Sequence, residues 1–310
     1  MLFRNVKPSD LDECIALLRS DGGCQAGDNI WEALPELWLQ MLADEQFASF
    51  QVFVEPEDGR EKIVAFRSSV FLNEAFARAY RQHPFRQTGM AIWRQTLNGE
   101  SPVLTRREIA RANSLSRLSL GVTHWVTRHR DPRHPETMNI LALVPAAWQR
   151  GHGGYRLYEV LFYEMFYPEA AAIMSNIGYK HYKLATDTTP GAVFYWPHDS
   201  SALGSAALVP AISIACPAPR FFFTPAQKRL ISAALDGLRD REIAANFGIR
   251  YDTIRQSWLA IYKRVDDVSP GILSSVPSSD GRRGDEKRRV LLEYIRQHLE
   301  ELRPFDPKLV

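Results

Sequence analysis

The 310-residue chain carries a formal net charge of +2, with 45% hydrophobic, 24% charged and 11% aromatic residues. That length exceeds one typical domain of roughly 100 to 200 residues and suits two. The composition excludes an intrinsically disordered chain and a small disulfide-stapled scaffold. Three cysteines, Cys14, Cys24 and Cys216, form no CxxC pair and are odd in number, which points to a reducing, cytoplasmic setting. No apolar run approaches the roughly 18 residues of a membrane span, and the start of the chain turns acidic where a signal peptide needs its apolar core, so no membrane association is expected.

The N-terminal part mixes periods. Phe3 to Val6 reads as a short strand, Ser9 with Asp10 as the cap of a helix through Leu18, and Trp31 to Leu42 as an amphipathic helix. FASFQVFV (Phe47 to Val54) and KIVAFRSSV (Lys62 to Val70) flank the turn-rich EPEDGRE and predict an antiparallel hairpin. A partly helical insertion, about Asn73 to Leu118, precedes strands predicted at Gly121 to Thr127 and Met138 to Val144. The expected architecture is an α+β N-terminal domain over 1–196, with a mixed, largely antiparallel sheet and flanking helices.

Within it, MNILALVPAAWQRGHGGYRLY, Met138 to Tyr158, reads as a strand, a glycine-rich turn and an aromatic helix, the order in which backbone N–H groups at a helix start bind an anion. This region resembles the acetyl-CoA loop of GNAT-type N-acetyltransferases. Their R-G-x-G-x-G pattern is met by Arg150, Gly151, Gly153 and Gly154, with Tyr155 where the last glycine stands. AAAIMSNIGYKHYKL, Ala170 to Leu184, resembles the family's closing helix and strand, with Gly178-Tyr179 in place. The resemblance implies a GNAT-like fold with acetyl-CoA or another acyl-CoA as cofactor. It also places Met174 where many of these enzymes keep a general-acid tyrosine. Methionine can neither give nor take a proton, which leaves Tyr163 and Glu164 as fallbacks, and no catalytic residue is assigned. His124, His129 and His134 recur every five residues without sharing a face, so no metal site is expected. Trp31, Trp38, Trp93, Tyr155, Phe162 and Tyr163 suit an apolar ligand pocket, though core packing explains them more simply.

The stretch 197–219, rich in Ser, Ala and Pro, is expected to be a linker. Beyond it the charge changes: 220–303 hold 16 Lys and Arg against 12 Asp and Glu, whereas 1–219 hold 21 against 23. Thr224 and Pro225 start a helix that Gly237 stops, Asp240 is positioned to cap a short second helix that ends at Gly248, and a third runs from about Tyr251 to Val265. Its apolar residues Ile254, Trp258, Ile261, Tyr262 and Val265 fall on one stripe. Two short helices joined by a tight glycine turn are the pattern of a helix-turn-helix. REIAANFGIRYDTIRQSWLAIYKRV, Arg241 to Val265, closely resembles the helix-turn-helix of LuxR/FixJ-type transcription regulators, through Glu242-Ile243-Ala244, Gly248, Thr253-Ile254-Arg255 and Ile261-Tyr262-Lys263-Arg264-Val265. It departs from that pattern at Arg250 and Ser257.

The resemblance implies an all-α DNA-binding domain over 220–268, with double-stranded DNA as partner. Arg255 and Gln256, with Thr253 and Ser257 beside them, suit base edges, and Arg250, Tyr251, Lys263 and Arg264 suit phosphates. The remaining 269–310 form a linker and an amphipathic helix, with Leu291, Ile295, Leu299 and Leu302 on one stripe, which packs on its own domain or pairs a homodimer. Arg282, Arg283, Lys287, Arg288 and Arg289 are further candidates for the DNA backbone. The function this implies is transcription regulation, with the N-terminal domain sensing a small-molecule effector. The alternatives are an acyl-CoA-dependent N-acyltransferase with a DNA-binding tail, and a nucleoid binder with little sequence preference.

Overall fold

The computed structural model describes residues 1–21, 27–83, 87–131, 133–165, 179–182, 192–196, 216–274 and 283–309. The chain divides into two compact units, Met1–Ile214 and Ala215–Lys308.

The first unit is a mixed sheet with helices. Strands β1 (Leu2–Asn5), β2 (Phe47–Glu57), β3 (Arg60–Leu72), β4 (Leu118–Thr127), β5 (Leu157–Met165), β6 (Lys180–Tyr182) and β7 (Ala192–Trp196) lie in the order β1-β2-β3-β4-β5-β7-β6. Every neighbouring pair is antiparallel except β4 and β5. The β2–β3 hairpin closes at Asp58-Gly59, whose φ angles of 49° and 77° suit a two-residue turn that follows the strand twist. Helices α1 (Leu11–Ser20), α2 (Asp28–Ala43) and α4 (Thr88–Leu97) cover one face, with α3 (Glu74–Gln82) and α5 (Arg106–Ser114) completing the insertion. Helix α6 (Pro135–His152) covers the other, where Ile140 and Ala147 meet Phe53, Val64 and Ala65.

Helix α6 corrects the expectation of a strand at Met138–Val144 and a helix after Tyr155. Those first residues are helical, and β5 begins at Leu157. The helix accommodates Pro145 in its interior, the feature that reads as a break in sequence. Its start is signalled by Pro135 at the first helical position and Glu136 in the first turn. Its buried residues, Thr137, Ile140, Ala147 and Gly151, also recur at helical spacing.

The glycines of that segment have a packing reason. A Cβ on Gly151 would stand 2.5 Å from Ser49 Oγ and 3.0 Å from an Arg67 nitrogen, so only glycine lets the last turn of α6 lie flat on β2 and β3. The buried Arg67 holds it there, donating to Gln51 Oε1 and to the Ala147 carbonyl, each at 2.8 Å, beneath the Trp148 ring.

On the opposite face Trp38 and Trp93 are fully buried, so core packing is their role. His124 of β4 packs between them and accepts the Trp93 indole N–H at 2.7 Å. Burial pushes its pKa down to about 3, so the ring is neutral in the folded chain. The unfolded chain takes up this proton below its ordinary value of about 6.5. The contribution of His124 to stability is therefore complete above pH 6.5 and lost as pH falls toward 3, at up to about 1.4 kcal/mol per pH unit. His124→Gln is expected to flatten the loss of stability between pH 6.5 and 4 in urea titrations. Parallel profiles for the two proteins would show that the ring is not held neutral.

Candidate nucleic-acid interface

The second unit is helical: α7 (Pro225–Leu235), α8 (Asp240–Phe247), α9 (Tyr251–Val268), α10 (Gly271–Ser274) and α11 (Arg283–Gln297), with a final 3-10 turn at Leu299–Leu302. Thr224 caps α7 reciprocally with Gln227, as its Thr-Pro start predicts. Helix α8 ends at Gly248, which is left-handed with φ 64°. A Cβ there would meet no atom within 4 Å, so the need for glycine is purely conformational. Three residues, Gly248 to Arg250, turn the chain from α8 into α9.

Helix α9 divides cleanly. Ile254, Trp258, Ile261, Tyr262 and Val265 are buried against α7, α8 and α11, as their period predicts. Arg250, Tyr251, Thr253, Arg255, Gln256, Lys263 and Arg264 are exposed, so seven of the eight residues singled out for DNA reach solvent. Ser257 is half-buried and its hydroxyl donates to the Thr253 carbonyl at 2.8 Å, which spends its donor inside the helix. Arg264, though exposed, donates from Nε to the Phe221 carbonyl and so also anchors the segment leading into α7. Leu259, 59% exposed, stands on the same face as Gln256 and Lys263.

Asp240 does not cap α8. The Glu242 carboxylate accepts the Arg239 N–H at 2.7 Å and does that work. Asp240 Oδ1 instead accepts from Arg288 Nη1 at 2.6 Å and from the Trp258 indole at 3.1 Å, while Arg288 also donates to the Leu238 carbonyl and lies over the Trp258 ring. One ionic contact thus ties α8, α9 and α11. It also removes Arg288 from the candidate DNA contacts. Lys287 lies 3.4 Å from Asp266, and Arg289 pairs with Glu286 on its own helix. Arg282 and the side chain of Arg283 lie outside the described residues.

The tail helix packs within its own unit. Leu291, Ile295 and Leu299 are buried there, and the fully buried Glu301 accepts the backbone N–H groups of Arg220 and Phe221 at 2.8 and 3.0 Å.

In the first unit the proposed acyl-CoA cradle is not built as expected. Arg150, Gly151, Gly153 and Gly154 sit at the end of α6, where the helix presents carbonyls and the negative pole of its dipole, and the three glycines are buried. The adjoining cavity, between Arg67, Trp125, Trp148 and His152, is about 20 Å³, the space of roughly one water. His129 and His134, expected apart, stack at 3.8 Å before α6, whereas His124 is in the core. No group of three or more His, Cys, Asp or Glu suited to a metal ion occurs among the described residues. Met174, Gly178 and most of the closing segment lie outside the described residues, as do the side chains of Phe162, Tyr163 and Glu164.

No family model matches the chain, and no curated protein matches it. A solved structure of an uncharacterized protein (bh2621) from Bacillus halodurans is similar over 64% of this chain and 84% of that one, at 12% identity and a TM-score of 0.34.

The split of α9 gives a test at adjacent residues. Trp258→Ala is expected to cost about 3–5 kcal/mol of stability, and Leu259→Ala less than about 0.5 kcal/mol. Urea unfolding of the full chain followed by circular dichroism measures both, and a reversed order would mean the helix is rotated.

Proposed function

We propose that this chain is a DNA-binding transcription regulator, its C-terminal unit a helix-turn-helix of the LuxR/FixJ type and its N-terminal α/β unit a sensor. The observation that carries this is α9. It follows α8 through a three-residue turn at a left-handed glycine, buries its whole apolar stripe, and leaves Arg255, Gln256 and Lys263 in solvent. A helix presented this way has the size and chemistry for a major groove, with Arg matched to guanine and Gln to adenine. Arg250 and Lys263 then supply register and a salt-dependent affinity through phosphates. Control by a ligand requires that it bind the DNA-competent and incompetent states with different affinity.

The test is selection of binding sites from a random duplex pool, followed by fluorescence anisotropy. Arg255→Ala is expected to lose roughly 1–3 kcal/mol on the selected site and little on random DNA, whereas Lys263→Ala should weaken both alike. A pool that yields no preferred site would leave the nucleoid-binder reading in place of the regulator, and no DNA binding at all would overturn both.

A GNAT-like acyltransferase is the second reading, favoured by the sheet: largely antiparallel, with one parallel pair, β4 and β5, whose pairing ends at Gly121 and Phe162. The helix start beyond the carboxyl end of β4 is that of α6, where Arg128 pairs with Glu136 and Arg130 with Asp21. An acyl-CoA pyrophosphate would dock there rather than at Arg150–Gly154. Calorimetric titration with acetyl-CoA tests it: binding weakened by Arg130→Ala and not by Arg150→Ala supports this reading, and no binding removes it.

A further inference from the structure

At the end of the sheet where β3 finishes and β4 and β5 begin, the first unit holds an open cavity of about 710 Å³, within the range of small-molecule sites. Leu72, Leu104, Ala112 and Leu115 give it an apolar wall, and Arg81, Arg111 and Arg117 bring three guanidiniums to it.

Arg81 pairs with the buried Glu159 and, at 2.9 Å, with Glu74. Glu159 also accepts from Ser119 Oγ at 2.6 Å, and burial pushes its carboxyl above the ordinary range. Glu108 is turned to Thr105, whose N–H and hydroxyl reach it at 2.8 and 2.7 Å and hold its pKa low. Glu74 and Glu108, the two acidic side chains among the described residues of the wall, thus each have a partner. Arg111 and Arg117 form no ion pair among the described residues.

Two further features fall at this place. Leu115 and Tyr158, both on the cavity, are 40% and 39% exposed, so large apolar surface stands beside the two arginines that form no ion pair among the described residues. The turn that carries Leu115 and Arg117 passes through Ser116, a non-glycine residue at φ 55°, and is closed by the Arg117 N–H on the Ala112 carbonyl at 2.9 Å. A left-handed serine carries a conformational cost, and it sets Leu115 and Arg117 on either side of the bend, both toward the cavity.

We propose that this cavity binds a small organic anion, a carboxylate or phosphate monoester with an apolar tail or ring. Its head sits on Arg111 and Arg117, which offer paired donors to a planar or tetrahedral anion, and its apolar part lies against Leu72, Leu104 and Leu115. This names the chemical class of an effector for the N-terminal unit, and it stands or falls without reference to DNA.

The test uses the full chain and two fluorescent probes of similar shape, the anion 1-anilinonaphthalene-8-sulfonate and the uncharged N-phenyl-1-naphthylamine. The anion is expected to bind saturably and to be displaced by octanoate and octyl phosphate but not by inorganic phosphate. The double variant Arg111→Gln/Arg117→Gln should weaken it at least tenfold and leave the uncharged probe unchanged. Arg107→Gln, exposed on the same helix outside the cavity, should alter neither, and unchanged melting curves confirm that the variants fold. Equal affinity of the anion for wild type and double variant, or no saturable binding, overturns the proposal. Displacement by inorganic phosphate as strong as by octyl phosphate overturns its apolar half. Octanoate alone or octyl phosphate alone as competitor selects between carboxylate and phosphate. Anisotropy on the duplex site selected above, run on the same variants, reads the regulator proposal separately.

Discussion

The contact between Asp240 and Arg288 decides what the second unit shows to solvent. A charge taken partly out of water has to be matched, and here one carboxylate meets a guanidinium and an indole N–H that come from two other helices. Helix α8 starts at that carboxylate, α9 contributes the indole and α11 the guanidinium. Their mutual rotation is therefore fixed by a directional contact as well as by the apolar core beneath it, which non-directional burial alone fixes loosely. The exposed row of α9 is the complement of that arrangement. With the apolar stripe held inward, Arg255, Gln256 and Lys263 have nowhere to go but outward.

The first unit uses a buried cation in a related way, with Gln51 and a backbone carbonyl as its acceptors. Arg67 reaches from β3 to a backbone carbonyl of α6 and lies under Trp148, while Gly151 removes the one side chain that would lift the helix from the sheet. The glycines that in sequence suggest a phosphate cradle thus serve a close approach of helix and sheet. A helix end and a helix start have opposite electrostatics, so the same residues cannot do both. Two arginines with no ion pair among the described residues, Arg111 and Arg117, stand instead at the end of α5 and the start of β4, beside exposed apolar surface.

Much of this was legible from local patterns. The hairpin at Asp58-Gly59, the capped start at Thr224-Pro225, the glycine stop at Gly248 and the inward stripe of α9 each depend on residues within about one turn of each other, and each is found in the structure. The segment Met138–Val144 reads as a strand because a run of Ile, Leu and Val between Pro135 and Pro145 has no local feature that distinguishes a buried strand from a buried helix. The distinguishing signal is upstream, in Pro135 and Glu136, where a first-turn proline and carboxylate mark a helix start. The roles of Asp240, Arg288 and Glu301 were not legible, since their partners are 18 to 81 residues away in the chain.

The sequence by itself determined the two-part organisation of elements, the turn chemistry and which face of each helix is apolar, because these follow from propensity and period over a few residues. Only the tertiary structure decided which polar residues are spent on holding the fold and which remain available. Arg288, Arg264 and Ser257 look in sequence like Arg255 and Gln256, yet the first three have hydrogen-bond partners within the unit, and those partners exist only once distant segments have packed. The same holds for the cavity at Arg111 and Arg117. It is formed by the ends of three strands and two helices that the chain brings together from positions 72 to 158, and no window of sequence contains it.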